Sequence, residues 1–395
     1  MRGYGEQNED VRVEKIDVNT VYILGAGASH DLNFRIGNLD AGYGTYTYKD
    51  FLVEGPLSSG YFYYFNQILK TVKENVPLCA SITVSDKLLA YICKKYGITK
   101  DELFESKELS QKVNIENLYI DIEIAIDEME LERGGDPNDL SLLQDPQFID
   151  LFVLHNDLKS YIFDTLSFIG YYCISKFHHI FAEHITNSNA NVISFNWDTL
   201  LDEAMVNTKR WSYETGYGFE FEKVLYKTGK DSESATKLEA TNIILKPHGS
   251  INWYSDRHKE KLYLIVPVEL RLRGGTFGQL RSCESIGNDN HVFTYIIPPG
   301  KKRKQFPFVW EHMKDILQKA DKIISIGFSF NSNDSHVKDE FETICFKKDV
   351  AVEIINPDGS ELLSIYEQVF KTKKIVVKNL SFADYCNSLA ACIKV

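Results

Sequence analysis

The chain has 395 residues, of which 44% are hydrophobic and 13% aromatic, so a substantial core is expected and global disorder or a fibrous repeat is excluded. Its formal net charge is −12, from 44 Lys and Arg against 56 Asp and Glu. This charge excludes a protein whose whole surface embraces nucleic acid, although it allows a local basic patch.

The seven cysteines stand at irregular spacing with no CxxC pair, which favours reduced thiols over a disulfide framework or a zinc site. We therefore expect a cytoplasmic protein without a bound metal. The polar leader, residues 1–20, lacks the apolar segment of a secretory signal. The most apolar span, residues 161–174, is shorter than the roughly 20 residues that cross a bilayer, so no membrane segment is predicted.

Six short apolar runs predict buried strands, and most of them precede helix-like stretches. The runs cover residues 21–24, 191–195, 242–245, 322–326, 350–355 and 374–377. Helices are predicted over residues 199–205, 335–346 and 359–370. Strands that alternate with helices are typical of α/β proteins, so we predict a Rossmann-like, mainly parallel sheet flanked by helices.

The long interval of about residues 50–188 has the pattern of helices rather than of a loop. In residues 114–135, apolar side chains recur at helical spacing and acids occupy the other faces. We predict a helical insertion inside one domain of residues 21–395, with the acids forming a solvated face rather than a catalytic pair. Residues 207–240 are predicted to be a surface excursion from the sheet.

The glycine loop GAGAS begins at Gly25, directly after the first predicted strand. Such a turn brings backbone N–H groups close to a phosphate at the positive end of a helix. Gly25, Ala26, Gly27 and Ser29 are therefore candidates for holding a dinucleotide pyrophosphate. His30 at the sixth position leaves the dehydrogenase fingerprint incomplete, so an ordinary strand-to-helix turn stays open.

Polar residues also follow the second predicted strand, in the motif SFNWD. Asn196 can orient a sugar hydroxyl or a water through its amide, and Asp198 can accept hydrogen bonds or stabilise nearby positive charge. Asp198 also precedes the predicted helix, where it can cap the first amides. A structural role therefore stays open for both side chains.

The motif KPHGSINW follows the third predicted strand and contains His248. An imidazole titrates near neutral pH, so His248 is a candidate general base. Trp253 and Tyr254 are candidates for the wall of a ring-binding pocket. The alternative for His248 is an ordinary structural hydrogen bond.

Two later strands also end in polar or small residues. Gly327 and Ser329 are placed to meet a phosphate or a ribose, whereas Asp334 is predicted to be an N-cap. Asn356 follows the next strand, where its amide can bind a ribose or simply form an Asn-Pro turn.

Taken together and in this order, seven motifs resemble the bacterial sirtuin-like family of NAD-consuming proteins. They are GAGAS, NIENL, SFNWD, KPHGSINW, IIPPGKK, KIISIGFSFNSND and VEIINPD, and they span about residues 20–360. The resemblance implies a Rossmann-like sheet with an inserted helical module. It assigns the phosphates to Gly25, Ala26, Gly27 and Ser29, the nicotinamide ribose to Asn196 and Asp198, the catalytic base to His248, and the other half of NAD to Gly327, Ser329 and Asn356.

Protein-deacylating sirtuins carry a four-cysteine zinc module and a GxPDFR-type segment. This chain has no CxxC, and only Asn33, Phe34 and Arg35 stand near the second motif, at altered spacing. The resemblance therefore implies an NAD hydrolase that releases nicotinamide and ADP-ribose. Relatives without the zinc module are effectors of anti-phage defence, which act through NAD depletion and abortive infection.

The resemblance also implies a homo-oligomer and an activating partner, either a HerA-type ATPase or an Argonaute-like protein. The basic run of Lys301, Lys302, Arg303 and Lys304 is a solvated loop or a contact for an anion, so direct binding of nucleic acid stays open. One alternative is a nuclease subunit of a defence complex, which the net charge disfavours. The other is a non-catalytic sensor of NAD or ADP-ribose.

Overall fold

The structure is a computed structural model that describes residues 19–39, 46–75, 81–132, 142–172, 174–226, 240–256, 260–266, 282–286, 291–298, 306–330 and 332–393. Its strands are β1 (Thr20–Leu24), β2 (Asp31–Leu39), β3 (Tyr46–Glu54), β4 (Ile174–Ser175), β5 (Asn191–Ser194), β6 (Lys223–Tyr226), β7 (Ile244–Leu245), β8 (Gly249–Ser255), β9 (Leu262–Val266), β10 (Cys283–Ser285), β11 (His291–Ile296), β12 (Lys322–Ile326), β13 (Ala351–Ile355) and β14 (Ile375–Lys378).

Its α-helices are α1 (Tyr61–Asn75), α2 (Asp86–Tyr96), α3 (Lys100–Glu105), α4 (Lys107–Ser110), α5 (Ile115–Glu132), α6 (Pro146–Tyr172), α7 (Lys176–Ser188), α8 (Leu200–Asn207), α9 (Pro307–Lys319), α10 (Ser335–Glu342), α11 (Gly359–Phe370) and α12 (Phe382–Ile393). Short 3-10 helices span Ala26–Ser29, Leu142–Gln144 and Ser332–Asp334. Most of the polar leader and the whole basic run at residues 301–304 lie outside the described residues.

Six parallel strands form the central sheet, in the order β14-β13-β12-β1-β5-β7. They are the six predicted runs, with ends that differ by at most two residues. The predicted Rossmann-like, mainly parallel sheet is therefore confirmed. In the register, Leu24 of β1 pairs with both Ser194 of β5 and Ile326 of β12. The carboxyl ends of these strands consequently meet at one edge.

Helices cover both faces of the central sheet because alternate strand residues point to opposite sides. Val21 and Ile23 pack in a core with α9, α10 and α11, whereas Tyr22 and Leu24 pack in a core with α7, α8 and α12. Helix α11 has the predicted bounds. Helix α10 ends earlier than predicted, because the Thr343 N–H bonds to residue 340, three positions back, and tightens the last turn.

A second sheet has the strand order β10-β11-β8-β9-β6 and is antiparallel except for the β6–β9 pair. Neither this sheet nor the small β3-β2-β4 sheet was predicted. Trp253 and Tyr254 of β8 are fully buried in two different apolar cores, so the expectation that they wall a pocket is wrong. The predicted surface excursion is wrong too where the structure describes it, since Trp211 and Tyr217 are buried and β6 joins this sheet.

Helices α1 to α6 share a separate apolar core that includes Phe62, Ile122 and Ile162. This core extends onto the second sheet through Ile251 of β8. The predicted helix in residues 114–135 is confirmed as α5. Its acids are not all solvated, however, because the Oε2 atom of Glu116 is buried.

Among the helices that the described ranges contain, none combines the length and apolar character needed to cross a membrane.

Candidate functional site

The glycine loop packs backbone against backbone on the loop that follows β12. The Gly25 N–H donates to the carbonyl of Ile326 at 3.0 Å, and the Gly27 N–H donates to the carbonyl of Gly327 at 3.1 Å. A Cβ atom on Gly25 would lie 2.5 Å from the Gly327 oxygen, and one on Gly27 would lie 2.8 Å from the Gly327 Cα. The glycines are therefore required by the close approach of two strand ends, whether or not a phosphate binds there.

A hydrogen-bonded chain of three side chains joins the ends of β1 and β5. The Asn196 amide donates from Nδ2 to the Gly25 carbonyl and to Ser29 Oγ, both at 3.0 Å. Ser29 Oγ in turn donates to Asp198 Oδ2 at 2.8 Å. Asn196, Ser29 and Asp198 are each half-buried. They form a connected, directional polar group at the carboxyl edge of the sheet.

Asp198 also performs the structural role that its position predicts. Its Oδ1 atom accepts the Leu200 N–H at 3.1 Å, in the first turn of α8. Capping and the bond to Ser29 therefore coexist, one on each carboxylate oxygen.

A buried lysine donates a hydrogen bond to the backbone of the loop between β5 and α8. Lys246 is 1% exposed, and its Nζ donates to the backbone carbonyl of Asp198, to Ser250 Oγ at 2.8 Å and to Asp202 Oδ2 at 3.2 Å. The second carboxylate oxygen of Asp202 accepts from the Tyr217 hydroxyl. All three ammonium protons therefore have an acceptor, and the charge is paired.

Lys246 lies inside the motif KPHGSINW, yet the sequence prediction gave it no role. The available signal is a lysine directly after the strand residues of β7, in an otherwise buried stretch. Lysine is almost never fully buried unless it is paired. Such a position indicates an internal ion pair.

His248 lies in the turn between β7 and β8 and is 2% exposed. Its ring is 5.0 Å from the ring of Phe195, which stacks on Phe328 at 4.7 Å. Its backbone carbonyl accepts the Ile297 N–H at 2.8 Å. The predicted base is therefore fixed beside the ends of β5 and β12.

The His248 ring faces a second histidine that the sequence prediction missed. Nε2 of His248 lies 3.0 Å from Nε2 of His336, near the start of α10, and the two rings are 25° from parallel. Burial, together with the neighbouring His336, lowers the pKa of His248 well below its ordinary value. His248 is thus neutral near pH 7 and can accept a proton. The two residues stand far apart in sequence, so no local pattern indicates their pairing.

The remaining predicted residues lie at neighbouring strand ends. The Gly327 N–H donates to the carbonyl of Ile355 at 3.0 Å and so ties β12 to β13, and Ser329 is half-buried in the same loop. Asn356 accepts the Asp358 N–H through Oδ1 at 2.9 Å, which is the turn-forming role. Asp334 occupies the predicted N-cap position of α10, without a side-chain bond to the helix.

The structure brings the predicted residues together to different degrees. Gly25, Ser29, Asn196 and Asp198 form one hydrogen-bonded group, and Gly27 packs against Gly327 beside it. Ala26 begins the 3-10 turn of the same loop. Within the residues that the structure describes, no three His, Cys, Asp or Glu side chains gather in the manner of a metal site.

No protein-family model and no curated protein sequence matches the chain. Among solved structures, the chain is similar to a Sir2 homologue in complex with NAD, with 14% identity, a TM-score of 0.37, and 77% of this chain and 86% of that chain covered. It is also similar to a mutant Sir2 homologue in complex with ADP-ribose, with 16% identity, a TM-score of 0.36, and 63% and 78% covered.

A third similar structure is Sir2Tm bound to a propionylated peptide, with 12% identity, a TM-score of 0.36, and 67% of this chain and 89% of that chain covered. At such low identity and structural overlap, these likenesses carry no argument about what this chain binds or does.

Proposed function

We propose that the protein is an NAD hydrolase that cleaves the nicotinamide–ribosyl bond and releases nicotinamide and ADP-ribose. The observation that carries this proposal is the hydrogen-bonded group of Ser29, Asn196 and Asp198 at the carboxyl edge of a parallel sheet, with neutral His248 nearby. Ligands of open α/β sheets bind at this edge. The order of the sequence motifs, which resembles that of the sirtuin-like family, supports the same reaction.

The bond to be broken sets what the site must supply. Loss of nicotinamide leaves positive charge on the ribose, so the site needs oriented hydroxyls and a placed water. Both N–H groups of the Asn196 amide are engaged by Gly25 and Ser29, which fixes the direction of its Oδ1 atom. We assign Oδ1 to orient the attacking water or a ribose hydroxyl. The Asp198 carboxylate then stabilises the positive charge that develops on the sugar.

We assign His248 as the general base, which accepts the proton that the attacking water or a ribose hydroxyl loses. A neutral imidazole is the form that accepts a proton, and burial keeps His248 neutral. Gly25, Ala26 and Gly27 are assigned to the pyrophosphate, and Gly327, Ser329 and Asn356 to the other half of NAD. These last assignments rest on the resemblance of the motifs.

The cellular role that we propose follows from the same resemblance. The protein would act in the cytoplasm as the effector of an anti-phage defence system, in which NAD depletion aborts infection. A homo-oligomer and an activating HerA-type ATPase or Argonaute-like protein are part of this proposal.

The proposal is tested by incubating the purified protein with NAD, alone and with the candidate partner, and quantifying nicotinamide and ADP-ribose. Asn196→Ala and His248→Ala should each lower the rate by roughly a hundredfold or more, because each removes a group from the reaction. Asn187→Ala and His312→Ala are matched controls. Asn187 is exposed and bonds Arg210, and His312 is half-buried in α9.

Intact NAD in every condition, including added phage or nucleic-acid triggers, would contradict the proposal. Binding of NAD without cleavage would then favour a sensor. Cleavage of DNA would favour the nuclease subunit.

A further inference from the structure

The His248–His336 pair joins a buried group to a less buried one. His248 is 2% exposed, whereas His336 is only half-buried, and one hydrogen bond of 3.0 Å connects their Nε2 atoms. In a bond between two imidazole nitrogens, one nitrogen carries the proton and the other accepts it. One of the two Nε2 atoms therefore donates its N–H to the other.

His248 is poorly suited to keep a second proton. Its cation is disfavoured by burial and by the neighbouring imidazole, and both effects lower its pKa. The rings of Phe195 and Trp310, which lie 5.0 and 6.2 Å from the His248 ring, form an aromatic wall beside it. The protonated form of His248 is consequently unfavourable, and we expect it to transfer a proton to a neighbouring base.

The surroundings of His336 are more favourable to positive charge. Partial burial lowers its pKa, but a hydrogen bond to the backbone of Asn333 and the carboxylates of Asp339 and Glu340 act in the opposite direction. Lys314 of α9 pairs with Glu340 at 2.6 Å and offsets part of that effect. The Trp310 ring, 5.7 Å away, is the other neighbour from α9.

We propose that His336 is the relay partner of His248, which takes the proton released during NAD cleavage and passes it to solvent. This inference rests on the proposed function. In the reaction, the C1′–N bond breaks with its electron pair leaving on neutral nicotinamide, and the water oxygen bonds to C1′. The water loses one proton, which bonds to Nδ1 of His248 while the proton on His248 Nε2 crosses to Nε2 of His336, and His336 then releases a proton to bulk water. One proton per NAD therefore leaves the site.

The test uses His336→Asn and His336→Gln in the full chain. Each variant should lower kcat by roughly tenfold to a hundredfold, the range of a lost proton-transfer step, while KM stays within about twofold. Imidazole added to the buffer should restore much of the lost kcat, because a free base can replace a relay but cannot replace a packing contact. His312→Asn is the matched control and should keep the kcat of the unsubstituted protein.

A second measurement is independent of turnover. In protein labelled with ¹³C on the histidine Cε1 atoms, the His248 signal should titrate at higher pH in His336→Asn than in the unsubstituted protein, because a neighbouring imidazole has been removed. Circular dichroism checks that both variants fold.

The outcomes separate this inference from the proposed function. Cleavage of NAD that is indifferent to His336→Asn and His336→Gln, or a loss that imidazole does not restore, would overturn the relay alone. An unchanged His248 titration would overturn the pairing. Failure of the unsubstituted protein to cleave NAD would overturn the relay together with the hydrolase.

Discussion

Two buried polar groups lie beside the same strand ends. They differ in their exposure to solvent and in how completely their charges and hydrogen-bonding groups are paired. In the lysine group, Lys246 and Asp202 have side chains that are 0% and 2% exposed and carry opposite charges. All three N–H groups of the Lys246 ammonium donate to acceptors. The histidine pair has no opposite charge inside it, shares one hydrogen bond and is partly open at His336. The fully paired lysine group stabilises the loop between β5 and α8, whereas the partly exposed histidine pair can pass a proton to solvent. Substitutions should therefore affect stability in the first group and turnover in the second.

The largest expected effect on stability is that of Lys246→Met. It leaves the Asp202 carboxylate buried without its cation, so the free energy of unfolding should fall by about 3–5 kcal/mol. Urea denaturation measures this change. Lys261→Met is the matched control, because its pair with Glu222 is exposed and solvent-screened pairs of this kind contribute little to stability. Equal losses of unfolding free energy in the two variants would contradict the claim that the buried ion pair contributes more to stability than the exposed one.

Adding Asp202→Asn to Lys246→Met should recover part of the loss, because no uncompensated charge then stays in the core. A double variant no more stable than Lys246→Met would show that packing, rather than charge, is the origin of the effect.

The next largest effect is expected at the contact between the glycine loop and the β12 loop. Gly327 has φ +61°, and an added Cβ would lie 2.5 Å from the Ala28 nitrogen. Gly97 has a similar φ of +65°, but an added Cβ there would meet nothing within 4 Å. Gly97→Ala should cost about 1 kcal/mol, the left-handed backbone penalty, whereas Gly327→Ala should cost roughly 3 kcal/mol.

Thermal unfolding of the two alanine variants isolates the contribution of the loop contact, because the backbone penalty is common to both. A difference near zero would mean that the two loops are not in close contact in solution.

A change in the pH dependence of stability is expected at Glu116, a buried acid of α5. Burial and the nearby carboxylate of Asp334 raise the pKa of Glu116 to about 8. The folded state therefore holds a proton that the unfolded state loses above about pH 4.3, and stability falls as pH rises from there to about 8. Glu116→Gln should remove this decline, because the glutamine side chain does not titrate.

Denaturation of Glu116→Gln between pH 5 and 8 measures that decline. Glu361→Gln, at an exposed position near the start of α11, is the control and should leave the slope unchanged. A steep slope that persists in Glu116→Gln would place the titrating group elsewhere.

The six parallel strands were predictable because each is a short apolar run. Five of them are buried on both faces, and the edge strand β14 is only partly buried. The second sheet was not, since β8 contains the buried polar residues Ser250, Asn252 and Ser255 and so lacks the continuous apolar run of the other strands. Its partner β11 begins at His291, with β9 and β10 lying between the two strands along the chain. Pairing across such distances depends on tertiary packing rather than on local sequence.

The candidate site likewise contains some residues that the sequence predicted and others that it missed. Ser29, Asn196 and Asp198 were predictable because polar residues directly after buried strands must meet at one sheet edge. Lys246 and His336 were missed because their roles depend on partners that the fold supplies, Asp202 for the first and His248 for the second.

The most direct test of the account follows NAD and the unsubstituted protein in one weakly buffered reaction, by proton NMR and by titration of released acid. We predict that nicotinamide, ADP-ribose and protons appear in equal amounts, and that Asn196→Ala abolishes all three together. NAD that stays intact with the partner present, or products that persist in Asn196→Ala, would contradict the claim that this sheet edge is the hydrolytic site.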